Sequence, residues 1–382
     1  MKIHMLSPPN TIAIDAFSFE PCTQRTRRFP TLFNKLGYEV IYYGHAKSDV
    51  DCEVVEIVTD KQLEDIYGYS SQNTSRLSAN YLESNSDDPV YVYANQKSTE
   101  EIEKRIEYGD IISIPGFGFW PLVEQFDQNK YALVETSIGY PRLTVKDFRV
   151  FQSYTHMALM CGLAGTQSPE LSDAVIPNFY DATSFEYCED KEDYCLYLGR
   201  LIESKGLDIA IQLAQVCGFK LKIAGTGMRG KYLDNYELRY EKVPENVEIL
   251  GAVEPKERNK LLAKAKVLFL PTLYTEAFGG VVPEAHFSGT PTITTDFGIF
   301  CFSNIHGKTG YKCKYFQEFI WAYENIDRID PKDCLEHATA NYTIDVVASM
   351  YGVYFDYINN VYNDDGFYSS NFNHEEYFLE GS

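Results

Sequence analysis

Apolar positions recur along the second half of the chain in a regular pattern. From residue 194, short β-rich apolar runs alternate with amphipathic segments of helical length, as repeated βα units of a parallel sheet require. Strands are predicted at Tyr194 to Gly199, Phe219 to Ala224, Val247 to Leu250, Val267 to Leu270 and Pro291 to Thr294. Helices are predicted at Leu207 to Val216, Lys256 to Ala265 and Val281 to Ser288. The pattern indicates a doubly wound α/β unit.

The first half repeats this alternation less regularly. Strands are predicted at Lys2 to Leu6, Glu39 to Tyr43, Ile111 to Ile114 and Ala132 to Val134. Helices are predicted at Phe29 to Leu36 with Pro30 in the first turn, at Thr99 to Glu107 behind a Ser98/Glu101 capping box, and at Phe148 to Cys161. The polar stretch from Gly68 to Pro89 is interpreted as an inserted loop.

The composition changes between the two halves. The segment Ile176 to Asp193 is rich in Asp and Glu and has no apolar period, so we place the inter-domain linker there. The predicted domains are 1–177 and 178–343, with an apolar helix at 344–362 that could pack back on the first domain. A polar aromatic tail, 363–382, follows.

The chain has 382 residues, 45% of them hydrophobic, and a formal net charge of -21. This charge disfavours long-range attraction to nucleic acid or to anionic lipid. The nine cysteines are scattered, so we interpret them as reduced thiols. We expect a cytoplasmic protein without a membrane span, because no apolar run approaches about 18 residues and the N-terminus does not resemble a signal peptide.

The strongest motif is TEAFGGVVPEAHFSGTPTITTD, in which Glu276 and Glu284 flank Gly279 and Gly280. The glycines would let backbone amides approach phosphate oxygens at the start of the predicted helix. The carboxylates would bind hydroxyls, with Glu284 on a ribose diol and Glu276 on a sugar. The alternative is a helix with an ordinary acidic first turn.

Two further motifs follow predicted strands of the second half. LYLGRLIESKGLDIAIQLA carries Arg200 and Lys205, which would project from the sheet edge where α/β proteins bind ligands and would stabilise a leaving diphosphate. Solvated surface cations are the alternative. In LKIAGTGM a strand ends in Gly225, Thr226 and Gly227, a turn that is weak as a motif by itself.

Taken together, these motifs over residues 174 to 313 resemble family 4 retaining glycosyltransferases of the GT-B fold. The resemblance implies two Rossmann-like doubly wound domains that face a central cleft, with the second domain holding a nucleotide-sugar donor. It also implies a retaining reaction without a metal ion or another cofactor. The donor site that it implies contains Asn178, Gly199, Arg200, Lys205, Gly225, Thr226, Gly227, Glu276, Phe278, Gly279, Gly280 and Glu284.

The first half departs from the family pattern. The first loop, FSFEPCTQRTRRF, lacks the family's glycines, and IISIPGFGFW lacks its histidine. Near the expected cleft stand Glu135, which we assign to orienting the acceptor or shielding anomeric charge, and Tyr140. A buried structural carboxylate is the alternative for Glu135, and His156 is interpreted as a packed core histidine. The Asp49/Asp51 pair has the spacing of a metal site, but no metal is expected there.

The sequence leaves three hypotheses open for the function and the acceptor. One hypothesis is an enzyme that glycosylates a glycan or glycoconjugate, with UDP-sugars favoured over GDP-sugars. Another is transfer to hydroxymethylated cytosine in DNA, for which Arg25, Arg27 and Arg28 on the acceptor side would bind phosphates. A third is a nucleotide-sugar binding protein without catalysis. The acidic chain favours the first.

Overall fold

The computed structural model describes residues 1–18, 20–73, 85–116, 118–225 and 243–362. Its first half is built on a seven-stranded parallel sheet with the strand order β3-β2-β1-β4-β5-β6-β7. The strands are β1 (Lys2–Leu6), β2 (Glu39–His45), β3 (Glu53–Val58), β4 (Ile111–Ile114), β5 (Ala132–Ile138), β6 (Arg149–Phe151) and β7 (Ala174–Val175). The helices are α1 (Pro21–Lys35), α2 (Asp60–Tyr67), α3 (Pro89–Glu103), α4 (Trp120–Val123) and α5 (Tyr154–Ala164).

The second half contains a six-stranded parallel sheet with the order β10-β9-β8-β11-β12-β13. The strands are β8 (Cys195–Leu198), β9 (Leu221–Ala224), β10 (Val247–Gly251), β11 (Val267–Leu270), β12 (Thr292–Thr295) and β13 (Gly310–Cys313). The helices are α6 (Leu207–Cys217), α7 (Pro255–Lys264), α8 (Val281–Phe287), α9 (Phe300–Ser303), α10 (Phe316–Glu324), α11 (Pro331–Tyr342) and α12 (Ile344–Tyr362). The order reverses at β8 and β11, so loops after these two strands diverge and leave a crevice.

The last described helix, α12, belongs to the core of the first half. Its Tyr351 ring packs edge-on against Phe29 and Phe33 of α1, with centroids 5.4 and 5.7 Å apart. Beside it, the Tyr180 amide donates to the Tyr342 carbonyl and the Ile344 amide donates to the Tyr180 carbonyl. The chain therefore crosses between the halves twice, and the two crossing segments are hydrogen-bonded to each other.

Three predicted helices of the first half are placed or bounded differently. Helix α1 begins at Pro21, eight residues before the predicted start, because the Glu20 side chain caps it and Pro30 is accommodated inside it. Helix α3 begins at Pro89 behind Asp88, so the Ser98/Glu101 pair lies inside a helix and is not a cap. The predicted helix from Phe148 is in fact β6 followed by α5, which Ser153 caps.

Candidate functional site

Loops of the second sheet converge at the carboxyl ends of its strands. Gly199 follows β8 and Gly225 follows β9, and their backbones are in contact: a Cβ added to Gly225 would lie 1.8 Å from the Gly199 carbonyl oxygen. Gly225 also has a φ of 156°, which favours glycine. The predicted donor residues Thr226 and Gly227 lie outside the described residues.

Lys205 and Glu276 meet at this edge as an ion pair. Lys205 ends a short 3₁₀ turn, and the next residue, Gly206, packs so closely on the β11 loop that an added Cβ would lie 1.9 Å from the Pro271 carbonyl oxygen. The Lys205 ammonium donates to Glu276 Oε2, which also accepts the Tyr274 hydroxyl at 2.8 Å. The fold therefore brings together two residues that lie 71 positions apart.

The electrostatics of this pair keep the lysine charged. The side chains of Lys205 and Glu276 are only 17% and 14% exposed. Burial lowers the pKa of Lys205, but the Glu276 carboxylate and Tyr274 outweigh it, so the pKa lies above its ordinary value. Such a pair can bind an anion through the ammonium group and a sugar hydroxyl through the carboxylate. Arg200, also after β8, is exposed.

Glu284 lies in the first turn of α8 and has a cationic partner that the sequence did not reveal. Its carboxylate accepts from the Arg258 guanidinium, which comes from the first turn of α7, and Glu284 is only 8% exposed. Burial lowers the pKa of Arg258. Helix α7 follows β10, so the βα pattern places residue 258 at the carboxyl edge of the second sheet, where Glu284 also lies. This position is the sequence feature that could have indicated Arg258 as a partner of Glu284.

Aromatic packing fixes the glycines before α8. The Tyr180 hydroxyl donates to the Gly280 carbonyl at 3.1 Å, and a Cβ added to Gly280 would lie 2.5 Å from that hydroxyl oxygen. Phe278 is buried against Tyr180 and Tyr342. Gly279 has a φ of 63°, and an added Cβ would lie 2.8 Å from the Phe300 ring.

The three acceptor-side arginines have three different environments. Arg27 donates to Asp15 at 2.5 Å and also to Asp49, the first residue of the Asp49/Asp51 pair. Arg28 donates to the Phe179 carbonyl at 3.0 Å and lies 4.9 Å above the Tyr180 ring. Arg25 is buried, with one nitrogen donating to the Pro115 carbonyl at 3.2 Å. They do not form one basic surface.

Glu135 has the contacts of a structural carboxylate. It is fully buried, and its oxygens accept from the Tyr140 hydroxyl at 2.7 Å and from the Thr144 and Val145 amides at 2.7 and 3.0 Å. Burial raises its pKa, while these hydrogen bonds act in the opposite direction. The geometry favours the structural alternative, in which Glu135 and Tyr140 fix the loop after β5; a catalytic role stays a prediction.

The start of α5 joins the first domain to the Glu276 loop. The Ser153 hydroxyl donates to the Ala277 carbonyl at 2.6 Å, and His156 Nε2 donates to the Tyr140 carbonyl at 3.2 Å. Burial lowers the pKa of His156 and the nearby Glu276 charge opposes that shift. Asn178 also contacts the first domain, because it accepts from the Ser137 hydroxyl at 2.5 Å.

The described residues contain neither a cluster suited to a metal ion nor a helix suited to a membrane. Within the described ranges, no cluster of three or more His, Cys, Asp or Glu side chains has the geometry of a metal site. No helix in the described part of the chain is long and apolar enough to cross a membrane.

Part of the second half of the chain is similar in sequence to known proteins. Residues 183–322 match the family model "Glycosyl transferases group 1". The match spans a little over a third of the 382 residues, so the second half of the chain is similar to this family. A glycogen synthase of Mycobacterium tuberculosis is 34% identical to it over 123 residues. That match covers 31% of this chain and 29% of the relative, so it spans less than a third of the curated protein.

Solved structures extend the likeness to the whole architecture. AviGT4, a glycosyltransferase involved in avilamycin A biosynthesis, superimposes with a TM-score of 0.65 at 17% identity, covering 94% of this chain and 98% of its own. Anabaena HepE in complex with UDP and glucose gives 0.63 at 14% identity, covering 92% and 98%. At such identities the likeness concerns the fold alone: the chain has the GT-B fold, as expected.

Proposed function

We propose that the protein transfers a sugar from a UDP-sugar to a hydroxyl group of a carbohydrate acceptor, with retention at the anomeric carbon. The observation that carries the proposal is the part-buried Lys205–Glu276 pair at the carboxyl edge of the second sheet. The similarity of residues 183–322 to the glycosyltransferase family model supports the reaction class, and the UDP in the HepE complex supports the nucleotide by analogy.

The reaction would use the two members of the pair differently. The Lys205 ammonium, together with Arg200, stabilises the charge that grows on the diphosphate as the bond to the sugar breaks. Glu276 then accepts hydrogen bonds from the hydroxyls of the transferred sugar, and Glu284 accepts them from the ribose diol. The acceptor hydroxyl attacks the anomeric carbon on the same face from which the diphosphate departs, and the hydroxyl proton passes to a diphosphate oxygen.

The environments of the arginines favour a carbohydrate over DNA as acceptor. Arg27 is neutralised by Asp15 and Asp49, and Arg28 is bound to the linker. A phosphate backbone would thus meet few available cations in the TQRTRR segment of an acidic protein.

A donor screen tests the proposal. Purified protein is incubated with UDP-glucose, UDP-N-acetylglucosamine and GDP-mannose, and release of nucleotide diphosphate is measured with and without an acceptor panel. We expect slow hydrolysis of a UDP-sugar, faster release with an acceptor, and a product with the donor's anomeric configuration by NMR. Binding of UDP-sugars without any turnover in either assay would contradict the proposal and favour a binding protein.

A further inference from the structure

Arg25 is a buried cation at the ligand-binding edge of the first sheet. Helix α1 follows β1, so its first turns lie at the carboxyl ends of the parallel strands, and the Glu20 side chain fixes them by accepting from the Cys22 and Thr23 amides at 3.1 and 2.6 Å. The Arg25 guanidinium donates to the carbonyl of Pro115, the residue directly after β4. The group is therefore held between α1 and the β4 loop.

The Arg25 charge is incompletely satisfied within the described part of the chain. The residue is 7% exposed, its Nη2 donates to Pro115 O and to Cys22 Sγ, both at 3.2 Å, and its buried Nε has no hydrogen-bond partner among the described residues. No carboxylate among the described residues lies within ion-pair distance of Arg25. An arginine cannot escape burial by losing its proton, and a buried charge without a counter-ion is costly.

The buried carboxylate of Glu135, in the same domain, is already occupied. Glu135 accepts from the Tyr140 hydroxyl and from the Thr144 and Val145 amides. Burial and Glu135 raise the pKa of the Tyr140 hydroxyl well above its ordinary value, and the Arg25 charge acts in the opposite direction. The Tyr140 ring lies against Gly116, the neighbour of Pro115, because a Cβ added to Gly116 would lie 3.2 Å from that ring. A bound anion would supply the counter-ion that the described residues do not provide.

A continuous set of contacts connects this position with the donor site. Arg25 donates to Pro115, and the next residue, Gly116, lies against the Tyr140 ring. The Tyr140 carbonyl accepts from His156. His156 lies one turn into α5, whose capping residue Ser153 donates to Ala277, the neighbour of Glu276. A molecule bound at Arg25 would thus occupy the first-domain side of the cleft, with the transferred sugar at Glu276 on the other side.

We infer that Arg25 binds an anionic group of the acceptor, a phosphate or a carboxylate, and so selects negatively charged carbohydrate acceptors. The planar guanidinium fork suits both anions, which can accept two hydrogen bonds at once. The inference rests on the proposed function, because it specifies the acceptor of the same reaction.

A binding experiment tests the anion site without requiring turnover. Inorganic phosphate is titrated into the full chain at saturating UDP, which fills the donor site, and the melting temperature is followed for wild type, Arg25→Met and Arg27→Met. Arg27 is the matched control, because it is an arginine of the same helix that is paired with aspartates. We expect phosphate to raise the Tm of wild type and Arg27→Met, and not that of Arg25→Met. No phosphate effect in wild type, or an equal effect in Arg25→Met, overturns the inference.

Transfer assays then distinguish the source of the anion. With glucose and glucose 6-phosphate as paired acceptors, we expect wild type to prefer the phosphate by roughly tenfold to a hundredfold in kcat/KM, the equivalent of one charge-assisted hydrogen bond, and Arg25→Met to lose this preference. Weaker UDP binding by Arg25→Met would assign the anion to the donor and refute the inference. Salt-sensitive transfer to hydroxymethylcytosine DNA that depends on Arg25 would likewise refute it in favour of a polynucleotide. Absence of donor hydrolysis would contradict the proposed function, while the phosphate titration still decides the anion site.

Discussion

Replacing Lys205 by methionine separates the catalytic contribution of the Lys205–Glu276 pair from its contribution to stability. The substitution keeps an unbranched side chain and removes the ammonium that faces Glu276. If the ammonium stabilises the leaving diphosphate, kcat should fall about a hundredfold or more, which corresponds to about 2.7 kcal/mol of transition-state stabilisation.

The same substitution leaves the part-buried Glu276 beside Tyr274 without its cation. Removing one partner of a buried pair costs about 3 kcal/mol, and the slight exposure of both side chains should keep the value near this figure. Glu276→Gln added to Lys205→Met removes the uncompensated carboxylate. The double variant should therefore regain most of the free energy of unfolding without regaining turnover.

Urea denaturation and donor turnover measured on the same preparations check both parts. Lys256→Met, at an exposed position on α7, is the matched control and should leave both quantities unchanged. A Lys205→Met enzyme with wild-type kcat would refute the diphosphate role. A double variant that regains turnover together with stability would show that the single variant had lost activity only through misfolding.

The ribose contact, the metal requirement and the response to acid each have an expected outcome. Glu284→Ala should weaken UDP binding by roughly 1 to 3 kcal/mol in calorimetry, because charge-assisted hydrogen bonds to the ribose are lost. EDTA should leave turnover intact, because the proposed catalysis relies on Arg200 and Lys205. Burial, followed by the nearby His337, lowers the pKa of His286 to about 3. The unfolded histidine, with a pKa near 6.5, protonates first as pH falls. The free energy of unfolding should therefore be constant above about pH 6.5 and decline below it, by about 2 kcal/mol at pH 5 from this residue.

Each of these outcomes has a contrary result. Equal UDP affinity in Glu284→Ala would remove its ribose role, and a strict need for Mg²⁺ or Mn²⁺ would return attention to Asp49 and Asp51. In His286→Gln, the free energy of unfolding should decline less steeply in acid, by about one proton's contribution. His306→Gln, at an exposed position, should leave this decline unchanged. Identical slopes in the two variants would contradict the assignment.

How much the sequence predicts depends on how local the determinants are. Helix α12 matches the predicted Ile344 to Tyr362 because its apolar period is long and uninterrupted. Helix α1 extends well before its predicted start because burial of Phe29 and Phe33 compensates for Pro30 inside it. Propensity rules alone do not include that tertiary contribution.

The same distinction holds for the candidate site. The spacing of Glu276 and Glu284 indicates their loop and helix correctly, because both belong to one βα unit. The partners Lys205 and Arg258 come from other βα units, so their pairing depends on the sheet order. Whether a polar residue is satisfied depends still more on its three-dimensional surroundings, which is why Arg25, Arg27 and Arg28 look alike in sequence and differ in the fold.

The return of α12 to the first domain affects how the chain is completed during synthesis. The core around Phe29 and Phe33 needs Tyr351 and Phe355, which a ribosome adds more than 300 residues after α1. The second domain, in contrast, draws its strands from residues 195 to 313 and the buried side chains of its main core from residues 195 to 334. The second domain can therefore complete its core while the first domain still exposes apolar surface. The domain that is synthesised first is thus completed last, which reverses the usual N-terminal-first order of folding.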